Sequence, residues 1–148
     1  MFAIKNSVLE RDGAAVEQMP SPYKGGAFAK PPKIVVMHFT GGGSARSSAE
    51  WFRSPQNPGS SAHVVIDRDG SVVQCVPFNR VAWHAGKSQW HGLIGLNQYA
   101  TNRLICSCSG TKILIKTAVG VQTCHVFAHH AQNVGKPAAD KNLAVRLQ

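Results

Sequence analysis

Several histidines of this 148-residue chain stand where a fold could hold them rigidly. His38 lies near the end of the apolar run 33–39, and His129 and His130 follow a shorter apolar run. A histidine at the end of a buried strand is fixed by the sheet, and zinc requires ligands that drift little. Catalytic zinc sites use three protein ligands and leave one position for water. A lone histidine at a strand end is more often structural, so both interpretations stay open here.

The hydrophobic pattern predicts the elements that position His38. Residues 33–39 are rich in β-branched side chains and predict a buried strand ending near that histidine. A glycine loop follows, and Ser44 to Phe52 predicts a short helix. Ser47 is the expected helix cap, with Glu50 three residues later as its capping-box partner.

Further elements follow along the chain. Residues 62–67 and 71–77 predict two strands of a hairpin, because Asp69-Gly70 between alternating apolar residues is a strong turn signal. A long structured loop is expected over residues 79–98, with Trp90 and His91 packing within it. Residues 1–30 are expected to form an irregular leader before a single domain at 31–148. Coarser expectations for the tail are a strand near 103–107, a helix or strand at 112–121, and a strand at 124–128.

Three segments in order resemble the N-acetylmuramoyl-L-alanine amidase family, which includes phage lysozyme-type amidases and peptidoglycan recognition proteins. They are IVVMHFTGGG at 34–43, SSAHVVIDRDGSVVQCVP at 60–77, and RVAWHAGKSQWHG at 80–92. The family pattern is an apolar strand ending in His, then S-A-H with D-R-D-G, then W-H-A-G. One segment alone is weak, but three in order are specific, and they cover residues 33–100.

This resemblance implies an α/β fold with a central mixed β-sheet, flanking helices and a zinc cleft on one face. It implies zinc-dependent hydrolysis of the amide bond between N-acetylmuramic acid and L-alanine in peptidoglycan. His38 matches the first zinc ligand of the family. Trp83 and His84 match residues that line the substrate cleft, and His63 matches a histidine of the sheet that does not bind the metal.

The family's other ligands come late in the chain. Here an apolar run leads into His129-His130, and Asp140 lies ten residues after His130. The resemblance therefore makes His130 and Asp140 the expected second and third ligands, with His129 as the alternate. The usual G-H-x-D-I-A-P-x-R-K-x-D-P-G segment is absent, and the spacing match could arise by chance in a histidine-rich tail.

A catalytic glutamate of the family is also missing. After L-N-x-Y, relatives run into an S-I-G-I-E strand, whereas residues 101–110 read TNRLICSCSG here. Residues 101–148 are therefore expected to be a divergent or non-homologous tail, and reading the DNA in the other two frames would test this. The alternative function is a catalytically inactive peptidoglycan-binding module, or a truncated amidase without a complete zinc site.

Composition restricts the remaining classes. The formal net charge of +9 favours polyanions, either nucleic acid or an acidic bacterial wall. The basic residues are scattered, so we expect no nucleic-acid partner.

The four cysteines do not form a zinc-finger pattern and are expected to be reduced. The first 20 residues do not resemble a signal peptide, and no apolar run reaches membrane length. We expect a monomer made in the cytoplasm, acting on the wall after lysis or another release, and no membrane partner.

Overall fold

The computed structural model describes residues 1–40, 42–106, 116–117, 120–121 and 142–146. Its strands are β1 Phe2–Lys5, β2 Val8–Arg11, β3 Ala14–Ala15, β4 Glu17–Gln18, β5 Lys24–Ala27, β6 Ile34–Thr40, β7 Val64–Ile66, β8 Val72–Gln74, β9 Arg80–Ala82, β10 Gln89–Trp90, β11 Leu93–Ile94, β12 Ala100–Cys106, β13 Lys116–Thr117, β14 Gly120–Val121 and β15 Asn142–Arg146. The helix α1 spans Ala45–Trp51, and a 3-10 turn spans Leu96–Gln98.

A six-stranded mixed sheet organises the described residues, in the order β15-β6-β12-β7-β8-β4. The strand β12 runs parallel to both β6 and β7, whereas β15 runs antiparallel to β6. The expected mixed sheet with a packed helix is confirmed. The predicted strand at 33–39 is also confirmed, although β6 continues to Thr40, two residues beyond His38.

Two apolar clusters include residues of this sheet. In one, Ala45, Ala49 and Phe52 of the helix region pack with buried Val65 and Val73 of β7 and β8. In the other, the cluster comprises Ile34, Val36, Leu96 and Ala100, with Ala85, Trp90 and Leu93 partly buried against it. These side chains leave water on folding, and their burial stabilises the sheet that contains β6.

The β7–β8 hairpin forms as the sequence predicts. Val65 pairs with Val73 in an antiparallel register, and the Asp67 N–H donates to the Ser71 carbonyl at 2.9 Å. Gly70 adopts φ +82°, a conformation that glycine reaches without a Cβ penalty. The turn prediction at Asp69-Gly70 is therefore confirmed.

The cap of α1 differs from the expected one. Ser44, not Ser47, is the N-cap, and its hydroxyl accepts from the Ser47 N–H at 3.0 Å. The Ser47 hydroxyl accepts in return from the Ser44 N–H at 3.0 Å, which completes a capping box. Serine thus takes the role expected for Glu50, because a short hydroxyl at the third helical position also reaches the cap backbone.

Residues 1–30 are not irregular. They contain five strands, of which β1, β2 and β3 form a small antiparallel sheet and β4 joins the central sheet beside β8. The buried Gln74 ties the two sheets together: its Oε1 accepts from the Leu9 N–H at 2.8 Å and its Nε2 donates to the Ser7 carbonyl at 3.0 Å. The strands here are short and mostly exposed, so they lack the alternation that marks a strand in sequence.

The first residues of the expected tail belong to the central sheet. The strand β12 covers the predicted strand near 103–107, and β13 and β14 form a short antiparallel pair within 112–121. The predicted strand at 124–128 lies outside the described residues. Among the described strands, β12 and β15 are the neighbours of β6. Within the described ranges, no helix has the length and apolar character needed to cross a membrane.

Candidate active site

His38 and His84 meet at the centre of the candidate site. The Nε2 of His38 lies 3.0 Å from the Nδ1 of His84, and the two rings meet edge to face at a centroid distance of 5.1 Å. His38 is buried, with 6% of its surface exposed. The two rings therefore lie on the same side of the fold.

The sheet and one loop hold this pair. His38 lies in β6, where its backbone pairs with Leu104 of β12 on one side and Asn142 of β15 on the other. His84 follows β9, and the Oδ1 of Asn97 accepts from the N–H groups of His84 at 3.0 Å and Ala85 at 2.8 Å. Both histidines therefore sit on backbone that is tied by hydrogen bonds.

The surroundings keep His84 uncharged. Burial, together with the charges of His38 and His63, lowers the pKa of His84 to about 3, while the Ala100 backbone acts weakly in the opposite direction. Its Nε2 is buried and meets no hydrogen-bond partner among the described residues. An imidazole with such a depressed pKa is neutral at physiological pH and can face a cation without repelling it.

Trp83 directly precedes His84 in the chain and has 38% of its surface exposed. Its backbone is fixed on both sides of the residue, because its N–H donates to the Ser61 hydroxyl at 2.9 Å and its carbonyl accepts from the Ser61 N–H at 2.8 Å. Gly25 of β5 lies under the indole: a Cβ added there would come within 3.0 Å of Trp83 Cζ2. A rigid, half-exposed aromatic ring results.

The other loop and sheet residues have packing roles. His63 is completely buried, its ring stacks with those of Phe28 and Phe78, and its Nε2 donates to the Arg80 carbonyl at 2.9 Å. This placement matches a histidine of the sheet. Trp90 packs against the cluster around Ile34, as expected of a loop-packing residue.

His91 occupies the turn between β10 and β11 with φ +46° and contacts the Trp90 ring at a centroid distance of 4.3 Å. His91 is exposed in this turn.

The remaining predicted ligands, His130 and Asp140, lie outside the described residues, as does the alternate His129. Among the residues that are described, no group of three His, Cys, Asp or Glu side chains could hold a metal ion. His38 is therefore the one predicted ligand whose position is known.

Sequence reasoning missed two residues that support the site, Asn97 and Gly25. Asn97 belongs to the L-N-x-Y run. The sequence feature that could have pointed to it is a short amide side chain directly after the Gly95-Leu96 turn. Gly25 carried no signal, because its neighbour in space, Trp83, lies far away in the sequence.

Known proteins resemble this chain in both sequence and structure. The sequence profile described as N-acetylmuramoyl-L-alanine amidase matches residues 28–108. The chain is 52% identical over 40 residues to the 1,6-anhydro-N-acetylmuramyl-L-alanine amidase AmpD of Escherichia coli K12, covering 27% of this chain and 22% of that protein. AmpD of Haemophilus influenzae is 48% identical over 40 residues, with coverage of 27% and 22%.

A crystal structure of a selenomethionine AmpD derivative superposes with a TM-score of 0.55 and 25% identity, covering 79% of this chain and 71% of that one. The chain thus spans about a fifth of the length of its curated relatives in sequence, at 22%, and most of the AmpD fold in structure. The profile match covers more than half of the chain and includes His38, Trp83, His84 and the first residues after 100. The chain belongs to the N-acetylmuramoyl-L-alanine amidase family.

Proposed function

We propose that this chain hydrolyses the amide bond between N-acetylmuramic acid and L-alanine in peptidoglycan or its muropeptide fragments, in a zinc-dependent reaction. The observation that carries the proposal is the 3.0 Å contact between His38 and His84 beside the half-exposed Trp83, all within the segment that matches the family. We further propose that the chain acts as a monomer on wall material, without nucleic-acid or membrane partners. Its proposed place of synthesis is the cytoplasm, with release by lysis or another route.

The proposed zinc ligands are His38, His130 and Asp140. The support for His130 and Asp140 is the family resemblance, in which an apolar run leads into a histidine and an aspartate follows ten residues later. Asn142, two residues after Asp140, pairs with His38 in the register of β15 with β6.

The donor set fits zinc in kind, because two imidazoles and a carboxylate are common ligands of catalytic sites. When bound, zinc would lower the pKa of a water molecule and polarise the amide carbonyl. The reaction adds water across the amide, so the carbonyl–nitrogen bond breaks. The products are the lactyl carboxylate of the sugar and the free amino group of the peptide.

The chain's own residues would supply binding and orientation. His38 is fixed by strand pairing on both sides, and neutral His84 adds no positive charge beside it. The exposed face of Trp83 offers a flat apolar surface on which a sugar ring or stem peptide can lie. Ten of the sixteen basic residues lie before residue 101, and their surplus over acids favours approach of an acidic wall polymer.

A second candidate function is a peptidoglycan-binding module without activity. The observation that favours it is Leu104, which occupies the register position opposite His38 on β12. An apolar residue there cannot transfer a proton. Binding through Trp83 would persist in such a module, while amide hydrolysis would not.

Two measurements on the full chain test the proposal. Zinc content per chain is measured by elemental analysis, and release of free L-alanine amino groups from purified peptidoglycan is followed by amine labelling. We expect one zinc per chain and a measurable release that is abolished in His38→Ala and retained in the control His91→Ala, which changes an exposed turn histidine. Tight wall binding with no released amine in the zinc-loaded protein would support the binding module instead.

A further inference from the structure

One buried side chain organises the loop between α1 and β7. Asn57 has 4% of its surface exposed. Its Oδ1 accepts hydrogen bonds from the Gly59 N–H at 3.0 Å, the Ser60 N–H at 2.9 Å and the Ser60 hydroxyl at 3.0 Å. Its Nδ2 donates to the carbonyls of Trp51 at 3.1 Å and Ser60 at 2.9 Å. The amide thus uses both of its donors and its acceptor oxygen.

A single peptide group connects this amide with Trp83. The Ser60 carbonyl, which accepts from Asn57, and the Ser61 N–H are the two ends of one planar peptide group. That Ser61 N–H donates to the Trp83 carbonyl at 2.8 Å. Hydrogen bonds in such a chain polarise one another, so the Asn57 amide both orients this peptide group and strengthens its bond to Trp83.

The side chain of Ser61 completes the connection. Ser61 is buried, with 1% of its surface exposed, and its hydroxyl accepts from the Trp83 N–H at 2.9 Å. The same peptide group between Ser60 and Ser61 sets the direction in which this side chain leaves the backbone. Both hydrogen bonds that join Ser61 to Trp83 therefore depend on where Asn57 holds residue 60.

A different side chain holds the residues that follow Trp83. The N–H groups of His84 and Ala85 donate to Asn97 of the 3-10 turn, at 3.0 Å and 2.8 Å. Two neighbouring residues of the site are thus held from two separate parts of the chain. A change at Asn57 should therefore loosen Trp83 and leave the backbone of His84 in place.

We propose that Asn57 is a positioning residue for substrate binding, which fixes Trp83 through the peptide group between Ser60 and Ser61. The placement of Trp83 stands on these contacts, whereas its role in binding rests on the proposed function. A ring that contributes only binding contacts holds the ground state and the transition state alike. Its loss of position raises KM and leaves kcat unchanged.

A matched pair of variants isolates the Asn57 amide. Asn57→Asp keeps the oxygen that accepts from the loop and replaces the donating Nδ2 with a second oxygen, which faces two carbonyls. Gln56→Glu makes the same change of charge on the neighbouring exposed side chain, whose Oε1 accepts from the Ser54 hydroxyl at 3.1 Å. If Asn57→Asp does not fold, Asn57→Ser removes the same donor without adding charge and carries the same expectations.

Hydrogen exchange of backbone N–H groups, followed by NMR in the metal-free full chain, tests the placement of Trp83. We expect the Trp83 N–H to exchange about tenfold faster in Asn57→Asp, as for the loss of a hydrogen bond. The His84 N–H serves as the internal reference and should keep its rate, and Gln56→Glu should change neither. An unchanged Trp83 rate, or equal acceleration of both N–H groups, overturns the proposal.

A double-mutant cycle tests the route through Ser61. Ser61→Ala removes the acceptor of the Trp83 N–H, and we expect it to raise KM for a soluble muropeptide about tenfold with kcat unchanged. Asn57→Asp should have the same effect. Combined with Ser61→Ala, it should add less than its separate effect, because both act on one connection. Fully additive effects, or a fall in kcat at constant KM, refute the route.

The proposed function and this inference fail separately. If the wild-type chain binds no zinc and releases no amine, the proposed function fails, while the exchange rates of the Trp83 and His84 N–H groups still decide whether Asn57 positions Trp83. If amine is released and Asn57→Asp matches Gln56→Glu in KM, the function stands and the positioning role of Asn57 is refuted.

Discussion

Leu104 lies opposite His38 in the parallel pairing of β12 with β6. The family that the sequence resembles has an S-I-G-I-E strand after L-N-x-Y. Without a gap after Tyr99, its glutamate would match position 104, which carries leucine here. We therefore propose position 104 as the place at which to test the missing carboxylate.

Restoring the carboxylate should raise activity. We expect Leu104→Glu to increase the rate of amine release from peptidoglycan by about 10²–10⁴-fold, the usual contribution of a positioned general acid or base. The control is Leu104→Gln, which has nearly the same shape and cannot ionise. Equal rates for the two variants, each loaded with zinc, would mean that position 104 does not reach the reacting groups.

Gly25 should control the position of Trp83. Gly25→Ala places a methyl group 3.0 Å from Trp83 Cζ2 and 3.1 Å from Val81 Cβ, so the indole must move. Overpacking of this kind costs about 1–3 kcal/mol, and we expect weaker muropeptide binding together with a shifted tryptophan fluorescence maximum. Gly26→Ala is the matched control, because a Cβ there meets nothing within 4 Å. Identical affinities in the two variants would contradict the prediction.

Cys75 should resist alkylation in the folded chain. Burial raises the pKa of this thiol to about 12, and 1% of the residue is exposed. We expect iodoacetamide at pH 8 to leave Cys75 unmodified, as read by peptide mass spectrometry, and to modify it fully in guanidinium chloride. Rapid labelling of the native chain would show that this part of the core opens.

The same raised pKa gives the sign of a pH effect. Between the ordinary thiol pKa and about 12, the unfolded thiol ionises while the folded one stays protonated. The contribution of Cys75 to the free energy of unfolding is therefore fully present below that ordinary pKa and decreases as pH rises through the interval. Cys75→Ala, compared with the wild type from pH 8 to 10, should lose this dependence in denaturant titrations.

Replacing the buried Gln74 should lower the free energy of unfolding more than replacing an exposed glutamine. Gln74→Leu leaves the Leu9 N–H and the Ser7 carbonyl without their side-chain partner at a buried site. Unsatisfied buried polar groups cost about 1–3 kcal/mol each, so we expect a loss of that order in the free energy of unfolding. Gln56→Leu, at an exposed position, should change it by less than about 0.5 kcal/mol. Equal effects would show that the N-terminal sheet contributes little.

The parts of this fold that sequence predicted are those with strong local signals. The apolar run of β6 and the Asp69-Gly70 turn are determined by residues that are neighbours in the chain. The sequence pattern alone therefore predicts both. The site residues His38, Trp83 and His84 were found through a resemblance, and the contact between His38 and His84 then emerged in the structure.

What sequence did not predict depends on distant partners. Among the strands of residues 1–30, β4 pairs with β8 and β5 pairs with β9, and Gln74 binds the backbone at Leu9; none of these partners is visible in the composition of the segment. The helix cap is Ser44 and not the expected Ser47. Both are serines one helical turn apart, so the sequence pattern alone does not distinguish them. Asn97 binds backbone groups of another loop, and the short amide in its own segment does not show which groups it binds.

The position of β6 between β12 and β15 has a consequence for synthesis. Both neighbours lie more than 60 residues later in the chain, so β6 emerges from the ribosome with both edges unpaired. Unpaired apolar strands are templates for pairing with other chains until they are covered. Among the described strands, β15 covers the second edge of β6, so this exposure to aggregation lasts until residues 142–146 are made.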